Sequence, residues 1–138
     1  MPVLTKSPLV LRDMDLIKRF EDIEVGITIT TDDDAIRKAF EPKAPPIAAR
    51  INTLKALHDK GIKTYAFIGP VLPMNPEALL EKIIPHADSV IVDRMNYTSK
   101  TLQIYQRMNL LKWLDKDFVE DIIERLKKGF AGKPVSIC

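Results

Sequence analysis

At 138 residues the chain has the length of one domain and enough material to bury a hydrophobic core. Hydrophobic residues make up 46% and charged residues 29%, and a net charge of +2 from interspersed Lys, Arg, Asp and Glu points to neither a nucleic-acid footprint nor a membrane-surface patch. The single cysteine, Cys138, excludes an internal disulfide and a Cys-only metal cluster, and no apolar run approaches the ~20 residues that span a bilayer.

Met1 to Lys6 is a short apolar strand candidate, with no signal-peptide pattern before Lys6, so a cytoplasmic protein is expected. Arg12 to Phe20 carries Leu16, Ile17 and Phe20 at helical spacing, with Asp13 or a nearby polar group as cap. Val25 to Thr31 is a β-branched, alternating run and reads as a strand. Asp32 to Phe40 is a short helix whose Asp32-Asp33-Asp34 start suits the positive end of the helix dipole. Glu41-Pro42-Lys43-Ala44-Pro45-Pro46 is a proline-stiffened connection. The helix after it lines up Ile47, Ile51, Leu54 and Leu57 and stops at Gly61.

Ile62 to Val71 is the next strand, and Asn75-Pro76-Glu77 starts a helix that ends near Pro85. Ser89 to Arg94 is another strand. Thr101 to Gly129 is helical in one or two pieces, with Phe118, Ile122, Ile123 and Leu126 as its buried stripe, and Pro134 to Ile137 is a candidate final strand. Short strands alternating with helices imply parallel βαβ units with right-handed crossovers in one α/β domain. In Val25–Thr31, Val25, Ile27 and Ile29 share one face, while Gly26, Thr28 and Thr30 share the other. A small, hydroxylic face suits a barrel lumen or cleft better than a sheet covered by helices on both sides.

Several polar groups fall at strand ends, where parallel α/β folds bind ligands. Lys6 and Ser7 could hold an anionic or zwitterionic ligand, or be a solvated lysine and a turn former. Thr28 and Thr30 suit ribose or amino-acid groups, or reflect β-propensity alone. Arg50 lies off the apolar stripe, placed either to reach a carboxylate over the sheet or to face solvent. Asp32-Asp33-Asp34 reads as capping rather than a metal site, and no metal ligand set is expected. Gly69-Pro70-Val71 is a rigid strand exit that could expose backbone to a flat ring, and Asp93, Arg94, Asn96 and Tyr97 cluster after the last clear strand. His58 has no ligand partner at metal spacing and reads as a helix C-terminal residue.

From Thr5-Lys6-Ser7-Pro8-Leu9-Val10-Leu11-Arg12-Asp13, through Val25-Gly26-Ile27-Thr28-Ile29-Thr30-Thr31, the order of segments resembles a known family. Glu41-Pro42, Ala44-Pro45, Arg50, Gly61-Ile62 and Gly69-Pro70-Val71-Leu72-Pro73 extend the likeness over roughly residues 1–97. The chain looks like the carboxyl-terminal part of a radical S-adenosylmethionine (SAM) protein of the spore-photoproduct-lyase-like, or DNA repair photolyase-like, group. The resemblance implies about four strands of a partial (βα)6 barrel in residues 1–97 and a helical extension in 98–138.

It also implies that Lys6, Ser7, Thr28, Thr30 and Arg50 form the SAM face, with Gly69, Pro70 and Val71 beside the adenine and Asp93 and Arg94 closing the last strand. Arg50 would pair with the SAM carboxylate. The family's Cys-x-x-x-Cys-x-x-Cys loop for an iron–sulfur (4Fe–4S) cluster is not in these residues, and Cys138 cannot replace three thiolates. The expectation is therefore a cluster-less half-domain with a partial SAM cleft, inactive alone or dependent on a partner that carries the cluster. Catalytic residues are not assigned. A homo-oligomer or partner chain is expected along the exposed first strand. Nucleic acid as a partner follows from the resemblance alone. The alternative is a non-enzymatic α/β binding or self-assembling module.

Overall fold

The computed structural model describes residues 2–20, 22–94, 101–130 and 132–137. Asn96, Tyr97 and Cys138 lie outside the described residues. Five strands, β1 (Pro2–Thr5), β2 (Glu24–Thr28), β3 (Lys63–Ile68), β4 (Ser89–Val92) and β5 (Val135–Ile137), form one parallel sheet in the order β1-β2-β3-β4-β5. Each strand pairs with the next in sequence, so the sheet has no reversal of the kind that marks a doubly wound fold. The helices are α1 (Met14–Ile17), α2 (Asp34–Phe40), α3 (Ile47–Asp59), α4 (Pro76–Ile83), α5 (Leu102–Arg107) and α6 (Lys116–Gly129). No described helix is long and apolar enough to cross a membrane.

Alternation along the strands divides the sheet into two unlike faces. Val25, Ile27, Ala66, Ile68, Val90 and Val92 belong to the hydrophobic core, and α3 packs against β2 and β3 with Leu54 and Leu57 fully buried. On the other face the register sets Leu4, Gly26, Tyr65 and Ser89 in one row, and Thr28, Phe67, Ile91 and Ser136 in the next. This face opens into a groove of about 440 Å³ between Leu4, Tyr65, Phe67, Ile91 and Ser136. Gly26 is closed over by the Tyr65 ring, which occupies the place a Cβ would take, while the Tyr65 hydroxyl donates to the Val3 carbonyl at 3.4 Å.

Local chemistry sets the helix starts. The Asn75 side chain accepts from the Ala78 amide with Pro76 at the first helical position, and Asp33 accepts from Ala35. Gly61 ends the α3 turn at a φ of 81°, where a side chain would be strained.

Two expectations need correction, and a third is borne out. Residues 12–20 are not one helix: Pro8–Asp13 is a 3₁₀ helix, capped by Ser7 rather than Asp13, and α1 is four residues long. Pro8 favours this tighter start, and Leu16 and Phe20 remain exposed. Of the two placements open to Arg50, it takes the one that reaches a carboxylate, but from the buried face of α3 rather than off the apolar stripe, its side chain completely buried. The candidate final strand at 134–137 forms: after α6 the chain returns to pair β5 with β4, a fifth strand beside the about four that the resemblance implied.

Candidate functional site

The polar groups expected at strand ends converge on a residue outside that expected set. Glu41 follows α2, and its carboxylate receives hydrogen bonds from three elements. Lys6, just past β1, donates to Oε1 at 2.7 Å. Thr30, just past β2, donates through Oγ1 to Oε2 at 2.9 Å, and Arg50 of α3 donates through Nη2 to the same oxygen at 2.9 Å. Arg50 also donates from Nε to the Pro45 carbonyl at 3.0 Å and from Nη1 to the Thr28 carbonyl at 3.3 Å. A fully buried guanidinium is thus satisfied by one carboxylate and two backbone oxygens, as a buried charge requires.

The electrostatics follow from this geometry. Burial alone would push the Glu41 carboxyl up, but the Lys6 hydrogen bond and the Arg50 charge outweigh it and hold the group below its ordinary value. Lys6 and Arg50 bring two positive charges to one negative, so the cluster carries a net +1. Arg50 is sealed, so the accessible charge is that of Lys6, whose side chain is 45% exposed. The Pro42–Pro46 connection turns Glu41 back over the strand ends, and outside it the Tyr105 ring of α5 meets the neighbouring Phe40 edge-on at 4.8 Å.

The other expected site residues divide between structural work and a second cleft. Ser7 accepts from the Leu9 amide at 3.1 Å, which is the turn-forming role. The Gly69–Pro70 bond is cis, and a Cβ on Gly69 would lie 2.7 Å from the Phe67 ring and 2.8 Å from the Asp93 Cβ. The exits of β2 and β3 are fastened together: Leu72 donates its amide to Thr30 O at 3.3 Å, and Thr31 Oγ1 donates to Pro73 O at 2.7 Å. Val71 and Arg94 line a cleft of about 330 Å³ with Trp113, Leu114 and Lys116. Arg94 turns toward α6, where Nε meets Glu120 Oε1 at 2.8 Å.

The acidic run serves the fold. Asp32 accepts from the Asn75 amide, Asp33 caps α2, and Asp34 holds Arg37 and the Ile47 amide. The Arg37 and Ile47 hydrogen bonds keep the Asp34 carboxyl low, at about 2. His58 closes the last turn of α3, its Nδ1 3.8 Å from Asp88 Oδ2. Sequence reasoning did not single out Glu41 as the centre; its one visible signal was a carboxylate just ahead of a proline-stiffened turn and an arginine nine residues on.

Comparison with known proteins adds relatives without a function. No family model matches the chain. An uncharacterized protein of Methanocaldococcus jannaschii is 35% identical over 137 residues, covering 91% of this chain and 53% of the relative. An uncharacterized protein of Acidianus two-tailed virus is 25% identical over 142 residues, covering 91% of this chain and 47% of the relative. The chain therefore spans about half the length of the curated relatives it matches.

Proposed function

We propose that these residues form the carboxyl-terminal part of a radical SAM domain, supplying the wall that receives the amino-acid end of SAM. The observation that carries this reading is the Lys6–Glu41–Arg50–Thr30 cluster at the carboxyl ends of two adjacent parallel strands. Its one accessible charge is a lysine ammonium, which suits a carboxylate. The sequential strand order and a sheet face that opens into a groove beside Tyr65, Phe67 and Ile91 are what a partial barrel wall requires.

The fit is partial. Lys6 suits SAM, whereas the strand-end threonines Thr28, Thr30 and Thr31 are buried, Thr30 and Thr31 in hydrogen bonds to Glu41 and Pro73. Arg50 does not serve as a free carboxylate clamp, because its fork is already bound to Glu41, Pro45 and Thr28. Gly69 to Val71 give a close-packed strand exit against which a flat ring could rest. The single cysteine leaves cluster ligation to polypeptide outside these residues, for which the greater length of the relatives leaves room. Beside such a cluster, SAM supplies hydrogen-abstraction chemistry. This chain's residues would bind and orient the methionine carboxylate and exclude water from the strand ends.

Calorimetric titration with S-adenosylhomocysteine tests the reading. Saturable binding that weakens at least tenfold in Lys6→Ala is the expected result. No heat at millimolar ligand overturns it.

A second reading, an assembling α/β module, is favoured by the β1 edge. In the described sheet β1 pairs on one side only, with β2. Leu4, Leu9, Leu16 and Phe20, all in the first twenty residues, are large apolar side chains left exposed. A neighbouring strand and helix, from a second copy or a cluster-bearing partner, would cover both the edge and these side chains.

A further inference from the structure

We infer that Glu41 is a positioning residue that aims the Lys6 ammonium at the ligand carboxylate and leaves it as the cluster's uncompensated charge; this rests on the SAM-face reading above. The division of labour between the two carboxylate oxygens carries the argument. Oε2 is taken up by the buried pair, Thr30 and Arg50, and Oε1 is given to Lys6 alone. Arg50 and Thr30 have no exposure, so they fix the carboxylate plane rather than contact a ligand.

Lys6 differs. Its flexible stem reaches the strand ends from β1, and an ammonium has three donors, of which Glu41 takes one among the described residues. A half-exposed lysine is otherwise free to sample many rotamers. Held at one donor by a half-buried carboxylate that Thr30 and Arg50 anchor, it keeps the remaining two for a ligand. Without Arg50, Glu41 would cancel Lys6; with Arg50 buried behind it, the charge of Glu41 is already balanced. The chain thus spends one buried cation to keep a surface cation both oriented and active.

The test compares two probes that differ only at the amino-acid end. S-adenosylhomocysteine carries the carboxylate and 5′-methylthioadenosine does not. Glu41→Gln keeps the side-chain shape and removes the charge. It should weaken S-adenosylhomocysteine about tenfold and leave 5′-methylthioadenosine within twofold. Lys6→Ala should do the same, and the double variant should be no weaker than either single one, since both remove one device. Equal weakening of the two probes, or additive losses, would mean that Glu41 serves folding alone and would overturn the inference.

A ligand-free measurement separates this from the SAM reading. Acylation of Lys6 by an N-hydroxysuccinimide ester, followed by mass spectrometry, should accelerate at least threefold in Glu41→Gln, with Lys18 as an internal control. If neither probe binds but acylation accelerates, the SAM reading fails and Glu41 still positions Lys6. If acylation is unchanged, Glu41 does not hold Lys6 in solution and the inference fails whatever binds.

Discussion

Arg50 is the residue whose environment departs most from its sequence context. It sits three residues after Ile47 and four before Leu54, so helical spacing sets it on their buried face, where a charge is not expected without a partner. Its burial depends on Glu41, which is close in sequence but reached only because three prolines reverse the chain between α2 and α3. Removing its partner leaves Arg50 as an uncompensated buried charge, so Glu41→Ala should cost roughly 3–5 kcal/mol in denaturant unfolding. The Glu41 carboxyl titrates lower in the folded protein than in the unfolded chain. Its contribution is therefore complete above its ordinary pKa of 4.5 and disappears as pH falls through the lower folded value. Thermal midpoints of the native protein should drop through that acid range, while Glu41→Gln, less stable at neutral pH, should show a shallower acid loss. A parallel acid limb in the variant would assign the titration to other carboxylates.

At the scale of the elements, the sheet depends on a small-to-large contact between neighbours. Gly26 of β2 has no side chain because the Tyr65 ring of β3 lies across it. Gly26→Ala should displace that ring and destabilise by about 1–3 kcal/mol, the cost of overpacking. In a Tyr65→Ala background the same change should be close to neutral, as urea unfolding of the four proteins would show. The α4 start is a second local device: Asn75→Ala should cost about 1 kcal/mol through loss of its cap.

These elements also show what was readable in advance. The strands β2, β3 and β4 and the Asn75-Pro76 helix start are legible because period, β-branching and capping are local. The split of residues 8–17 into two short helices was not, because Pro8 and the Ser7 cap compete with an apolar spacing that suggests one longer helix. Lys6 and Thr30 were legible as strand-end polar groups, but their common partner was not. A hydrogen bond from residue 6 to residue 41 leaves no periodic trace.

For the molecule as a whole, the unpaired side of β1 and the exposed Leu9, Leu16 and Phe20 of the segment that follows it are the candidate association surface in the described residues. If that surface mediates association, light scattering should show an assembly larger than the 15.7 kDa chain, and a Leu16→Glu, Phe20→Lys double variant should return it to the monomer. A native protein that is monomeric at tens of micromolar would remove self-association and leave a different covering chain to be sought.

The sequential strand order has a consequence for how such a protein can be divided. In a sheet that winds outward from its middle, the first strands lie in the centre, and a cut in the gene separates strands that must sit side by side. Here every neighbour in space is also the neighbour in sequence, from β1 through β5. A break before β3 or β4 therefore leaves each piece with its own contiguous run of paired strands and one new raw edge. Such a sheet can be inherited, fused or shared between genes in whole βα increments, with recombination asking only that two edges meet again.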